Sequence, residues 1–269
     1  MRSLRVLLAF VSVVSLTACL DSTTLIKLKA DGSGTVEQTT LMNVAALKSM
    51  MPGAEKQMGA GGVNKADLER TAERMGKGVR LVSAEPFKNS TGFEGSKAIF
   101  AFDDINQIQV NQGPSMSGST DGKMSSEPTA NDPVKFKFTR SGSTSTLTIA
   151  FVDKPGDAAK TSTGANPMAD MDLTNPMMMG MLKSMFAGFK LNIALEVAGS
   201  IVKTNAEYVN GSRLTLLEMD MDSLLADEAK LKALQGKLGP DASLSAVKPY
   251  LKDIKGIKID GPTINVEFK

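Results

Sequence analysis

The chain has 269 residues, with 31 Lys and Arg against 29 Asp and Glu, 17 methionines, one cysteine, and neither histidine nor tryptophan. Without histidine there is no Ser-His-Asp triad, no Cys-His pair and none of the usual zinc sites. A formal charge of +2, with no basic stripe, speaks against nucleic acid as a partner.

Two cations, Arg2 and Arg5, open the chain and an apolar run follows over residues 6–16. The run is too short for a membrane-spanning helix, which needs about 20 residues, and it has the size of a secretory leader. Leu16-Thr17-Ala18-Cys19 then resembles a bacterial lipobox. The resemblance implies a leader at residues 1–18, removed before Cys19, and a diacylglyceryl thioether on the Cys19 sulfur. Removing the two leader cations takes the formal charge from +2 to zero. Export would place the chain in an oxidising compartment with no thiol pair to use it, so the fold must hold by burial alone. Roughly 250 residues are ample for that. Residues 19–24 read as the lipidated cysteine and a tether, residues 25–269 as the envelope domain. Five extended residues reach at most about 17 Å, so the domain is expected close to the membrane. Leu20 follows the cysteine and Asp21 comes one place later. By resemblance to the enterobacterial sorting rule this favours the outer membrane, if the cell has two.

Residues 25–29 and 35–42 have strand composition, and Asp31-Gly32-Ser33-Gly34 supplies a hairpin turn between them. A short helical piece at residues 43–51 stops at Pro52. Asn64 then predicts a helix N-cap and Gly76 its C-terminal end, with Leu68, Ala72 and Met75 on one face. Strands are predicted at residues 79–84 and 97–102. Residues 111–133 contain no aromatic or branched aliphatic residue and read as a mobile excursion. Val134, Phe136 and Phe138 alternate with lysines, and Leu147, Ile149 and Phe151 answer them across a Ser-Gly-Ser turn. A second polar excursion, at residues 153–175, marks the place where two lobes would divide. Residues 189–197 alternate as a strand, Asn210-Gly211 marks a hairpin, and residues 224–240 read as a helix ending at Gly239-Pro240. A further helix over residues 241–254 is expected to break near Pro249, and the chain ends in strand-like alternation at Ile264, Val266 and Phe268. The predicted class is α+β: a largely antiparallel sheet built from hairpins, with several packed helices.

Few side chains suggest chemistry, and no motif calls for a cofactor. Ser245 and Lys248 match the Ser-x-x-Lys spacing of penicillin-binding proteins, but the Ser-Asp-Asn and Lys-Thr-Gly companions are missing. Pro249 should also pull Lys248 out of helical geometry. Carboxylates pair in sequence at Asp103-Asp104, Asp170/Asp172 and Asp220/Asp222, none with the glycine and distal glutamate of a calcium loop.

Residues 166–189 stand apart, with seven of the methionines. Asn175 can cap a helix that starts at Pro176, and Met178, Met181, Leu182 and Met185 are then expected on one face. Three readings compete: a helix filling core gaps with flexible thioethers, an adaptable wall that handles lipid, and a Cu(I) site at the Met177/Met181 and Met181/Met185 spacings.

Two stretches together resemble the LppM-type bacterial lipoprotein domain: "LIKLKADGSGTVEQTTLM" behind the lipobox, and "LEVAGSIVKTNAEYVNGSRLTL" late in the chain, with Gly199, Ile201, Asn205, Asn210 and Gly211. The family's tryptophan after the late hairpin is replaced here by Leu216 or Leu217. The resemblance implies an α+β envelope domain with an apolar cavity and a role in binding polar lipids, and it offers no catalytic residues. The resulting expectation is a non-catalytic lipoprotein of the bacterial envelope, held to the membrane by Cys19. Its candidate ligand is a lipid or other amphiphile at Met178, Met181, Leu182 and Met185. The alternative is an assembly lipoprotein with a protein partner. A methionine-based Cu(I) handler or a histidine-free hydrolase rank behind.

Overall fold

The computed structural model describes residues 20–44, 63–110, 134–151, 175–235 and 244–269. Cys19, the leader and the excursions at 111–133 and 153–174 lie outside the described residues, as does most of the helical piece expected at 43–51.

β1 (Leu20–Leu28) and β2 (Gly34–Met42) pair antiparallel from Leu20 opposite Met42 to Leu28 opposite Gly34. Their turn is set by Asp31, whose carboxylate accepts from Ser33 N at 2.9 Å and from Ser33 Oγ at 2.7 Å. Gly32 takes φ +89°, a conformation that favours glycine. The first strand begins at Leu20 rather than Leu25. Ser22 and Thr24 are buried on the same side of the strand as Ile26 and Leu28, so the residues read as a tether are part of the sheet.

α1 (Lys65–Met75) starts where Asn64 accepts a hydrogen bond from Asp67 N, buries Ala72 and Met75, and ends at Gly76. β3 (Arg80–Lys88) and β4 (Glu94–Phe102) form the next hairpin and run longer than expected. β3 is the sheet edge, the place where Pro86 is tolerated. A 3-10 turn (Ile105–Gln107) and β5 (Gln109–Val110) precede β6 (Val134–Ser141) and β7 (Thr144–Phe151), which pair as the alternation predicted.

The rest comprises α2 (Pro176–Phe186), β8 (Lys190–Val197), β9 (Ile201–Thr204), β10 (Val209–Asn210) and β11 (Arg213–Asp220). It continues with α3 (Met221–Ala226), α4 (Glu228–Gln235), α5 (Leu244–Leu251), β12 (Ile257–Ile259) and β13 (Thr263–Phe268). The described part of the helix expected over 224–240 is two helices, and residues 236–240 lie outside the described residues. Asp227 separates them and accepts from Lys230 N at 3.1 Å, which restarts the helix as an N-cap does.

The strands make two sheets. Eight form one, in the order β10-β11-β8-β1-β2-β4-β3 with β12 beside β11, and five form the other, in the order β5-β6-β7-β13-β9. The smaller sheet is antiparallel throughout, as expected. In the larger sheet β1 and β8 run parallel, a departure from the hairpin expectation. These two strands are far apart in sequence, where turn chemistry has no hold on direction. β8 joins β1 and β13 joins β7, so the described strands before and after 152–174 are interwoven rather than set apart as lobes. One apolar core takes in Ile26, Phe100, Phe102 and Leu195 of the larger sheet with Leu147, Ile149, Val266 and Phe268 of the smaller.

Candidate functional site

α2 begins as its sequence dictates: Asn175 accepts from Met177 N at 2.9 Å and Pro176 occupies the first turn. The face it buries differs from the expected one. Met179 and Leu182 are buried, Met178 is half-buried, Met181 is half exposed and Met177 is 82% exposed. Leu182 and Met181 therefore do not share an environment. The side chain of Met185 lies outside the described residues. Lys183 pairs with Glu228 at 3.1 Å, linking α2 to α4.

The helix delivers the chain to the sheet end at which β1 starts. Phe189 N bonds to Phe186 O, and both oxygens of Asp222 accept from Gly188 N, at 3.0 and 3.1 Å. There Lys190 of β8 stands opposite Asp21 of β1 and Asp220 of β11 in register. Its ammonium lies 3.3 Å from the Asp220 carboxylate. Burial raises the Asp21 carboxyl above its ordinary value; Lys190 opposes the rise and Asp220 adds to it. Asp220 also caps α3, accepting from Asp222 N and Ser223 N.

A second polar centre joins the two sheets. Asp260, buried between β12 and β13, accepts from Glu207 N at 3.1 Å and from Gly261 N at 2.7 Å, while its own N–H reaches Leu216 O. Burial raises its carboxyl above the ordinary value. The hydrogen bonds from Gly261 and Glu207 and the Lys248 ammonium work against that rise, and the Glu207 charge works with it. Lys248 pairs with Glu207. Beside them Tyr208, Lys248, Leu251, Lys252, Ile257 and Ile259 line a crevice of about 10 Å³, room for one water and no more. Sequence reasoning missed Asp260; its one signal is an acid directly before a Gly-Pro turn.

Of the other chemical candidates, Lys248, Asp103 and Asp104 have structural partners. Pro249 lies inside α5, so Lys248 stays helical, contrary to expectation; its ammonium is committed to Glu207. The Ser245 side chain lies outside the described residues. Asp103 pairs with Arg80 at 3.0 Å, and Asp104 caps the 3-10 turn. Asp170 and Asp172 are outside the described residues. Among the described residues no three His, Cys, Asp or Glu side chains gather to hold a metal ion. No described helix is long and apolar enough to cross a membrane.

The late motif residues also have structural tasks. Asn205 Oδ1 accepts from Asn265 N at 2.6 Å and its Nδ2 donates to Thr263 O at 3.0 Å, continuing the β9–β13 pairing through a side chain. Gly199 lies against the Lys269 carbonyl, and Gly211 turns the β10–β11 hairpin.

No family model and no curated protein matches the chain. Among solved structures, the chain is similar to the folded domain of LppM from Mycobacterium tuberculosis, determined by NMR. Identity is 11%, 94% of this chain and 91% of that one are covered, and the TM-score is 0.36.

Proposed function

We propose that this protein is a non-catalytic lipoprotein of the bacterial cell envelope, acylated on Cys19, whose folded part meets a lipid or other amphiphile through the exposed methionines of α2. The observation that carries the reading is the order of the N-terminal residues: two cations, a short apolar run, Leu16-Thr17-Ala18-Cys19, and then at once the first strand of the fold. A leader needs that arrangement, and a folded domain has no use for it. Met177 and Met181 support the second half. They sit four residues apart on the side of α2 left in solvent, where polarizable, flexible side chains suit adaptable apolar contact. Leu20 directly after the cysteine favours the outer membrane in a cell with two.

Labelled palmitate supplied to cells should enter the wild-type protein and be absent from Cys19→Ser. Mass spectrometry should find an N-terminal acylated cysteine. A free sulfhydryl with residues 1–18 still attached would overturn the reading. For the ligand, an environment-sensitive fluorescent fatty acid should bind the unacylated Cys19→Ser chain saturably. Discrete crosslinks to one protein in intact cells, with no lipid binding, would favour an assembly role.

A further inference from the structure

We propose that the protein stands end-on on a phospholipid bilayer, touching it with the rim of the large sheet at which β1 begins and with the β3–β4 hairpin tip beside that rim. This deepens the anchored reading and rests on it.

The geometry follows from register. Lys88, Glu94, Met42 and Leu20 are successive partners across β3, β4, β2 and β1. One residue further in, Asp21, Lys190 and Asp220 continue the row across β1, β8 and β11. Six strands thus end at one level, and a single peptide joins Cys19 to Leu20, about 3.8 Å between Cα atoms. β1 is interior to the sheet, paired with β2 from Leu20 and with β8 from Asp21. No slack can be drawn out between anchor and fold without breaking strand pairs. An acyl chain rooted at Cys19 therefore holds the whole rim at the headgroups. With strands about 4.8 Å apart, β3 lies roughly 14 Å along the row from β1, and residues 89–93 project past it as a turn closed by Asn89.

The side chains there suit a lipid interface. Phe87 is 41% exposed, and Leu20, Met42, Phe93 and Phe189 are each half-buried at or next to the rim. Aromatic and long apolar side chains at that depth exchange water for the acyl boundary. Charge contributes no attraction: Lys88 and Lys190 are outnumbered by Asp21, Glu94 and Asp220, with Lys88 bound to Glu94 and Lys190 to Asp220. Docking should therefore gain nothing from anionic lipid and should not weaken as salt is raised.

The test uses two gaps in the composition. Cys19 is the only cysteine, and there is no tryptophan. The leaderless chain is coupled through Cys19 to a maleimide lipid in phosphatidylcholine vesicles, and single tryptophans are placed by Phe93→Trp at the rim and by Ser143→Trp. Ser143 is exposed in the β6–β7 turn, at the opposite end of β1, where Ser145 Oγ donates to Ala30 O. Brominated lipid should remove about half of the Phe93→Trp emission, since interfacial groups lie about 5–10 Å deep, and should leave Ser143→Trp unchanged. Equal emission with and without bromine at residue 93, or quenching at residue 143 alone, would overturn the orientation. Phe87→Trp serves in place of Phe93→Trp if that variant fails to fold. Because the coupling is chemical, an unquenched rim leaves cellular acylation standing. A native Cys19 found unmodified would overturn both.

Discussion

The sheet junction and the methionine helix are both apolar in sequence, yet they use their side chains differently. At the junction Ile264, Val266 and Phe268 have no exposure at all, and Asp260 and Asn205 tie the two crossing segments by hydrogen bonds to backbone. Among the described side chains of α2, Met179 and Leu182 are buried, while Met177 keeps 82% of its surface in water. In the first region packing accounts for every apolar side chain of β13. In the second Met177 and Met181 stay in solvent, more apolar surface than the packing of the described side chains uses.

The contrast breaks most visibly at Phe268. Phe268→Ala should lower unfolding free energy by about 4 kcal/mol, because the lost burial is compounded by a cavity between two sheets; urea unfolding checks it. A smaller loss is expected at Gly199, which has φ +126° and where a Cβ would meet the Lys269 carbonyl oxygen at 1.9 Å. Gly199→Ala should cost about 2–3 kcal/mol and speed hydrogen exchange at Ser200 N and Lys269 N, which bond to each other's carbonyls just outside β9 and β13. A loss under about 0.5 kcal/mol would mean that the C-terminus is not held as the geometry requires.

Hairpin chemistry made most of the fold legible. The Asp31–Gly34 turn, the lysine alternation of β6 and the cap at Asn64 are local signals, and each element formed where its signal lay. Non-local pairing left no such mark. Nothing in residues 20–24 announces that Ser22 and Thr24 enter a central strand, because the rule of apolar residues inside fails for two small hydroxyls. The methionine face was illegible for a different reason. From Met177 to Phe186 apolar residues point nearly all around the helix, so periodicity fixes no direction, and tertiary packing selected Met179 and Leu182. Asp227 shows the converse: an acid inside an amphipathic run reads as surface, while in the fold it starts a new helix.

The junction should also respond to pH. Burial holds the Asp260 carboxyl above its ordinary 3.8, so the folded chain keeps this proton more tightly than the unfolded chain does. Stability from this group is greatest at or below the ordinary value and falls as pH rises from there through the native value. Lys248 moderates the effect and Glu207 adds to it. Asp21 shifts the same way and retains its share in a mutant. The thermal unfolding temperature of Asp260→Asn should therefore gain on that of the wild type as pH rises from 3, whatever the slope that the other carboxyls, Asp31 among them, give to both. An identical slope would show that the carboxyl is better solvated than its position between the sheets implies.

The smallest stability effect is expected at the methionine helix, and that smallness makes the measurement decisive. Met177→Gln and Met181→Gln, singly or together, should change unfolding free energy by no more than about 0.5 kcal/mol, since both side chains already face water. Glutamine keeps length and helix propensity while removing the apolar thioether. Met179→Gln is the contrasting control: it places an amide where the wild type has a buried side chain and should destabilise by about 1–3 kcal/mol. If Met177 and Met181 meet an amphiphile, the double variant should lose fluorescent fatty-acid binding at unchanged stability. Retained binding with unchanged stability would remove the helix from the function and leave the methionine surplus to evolution of the core alone.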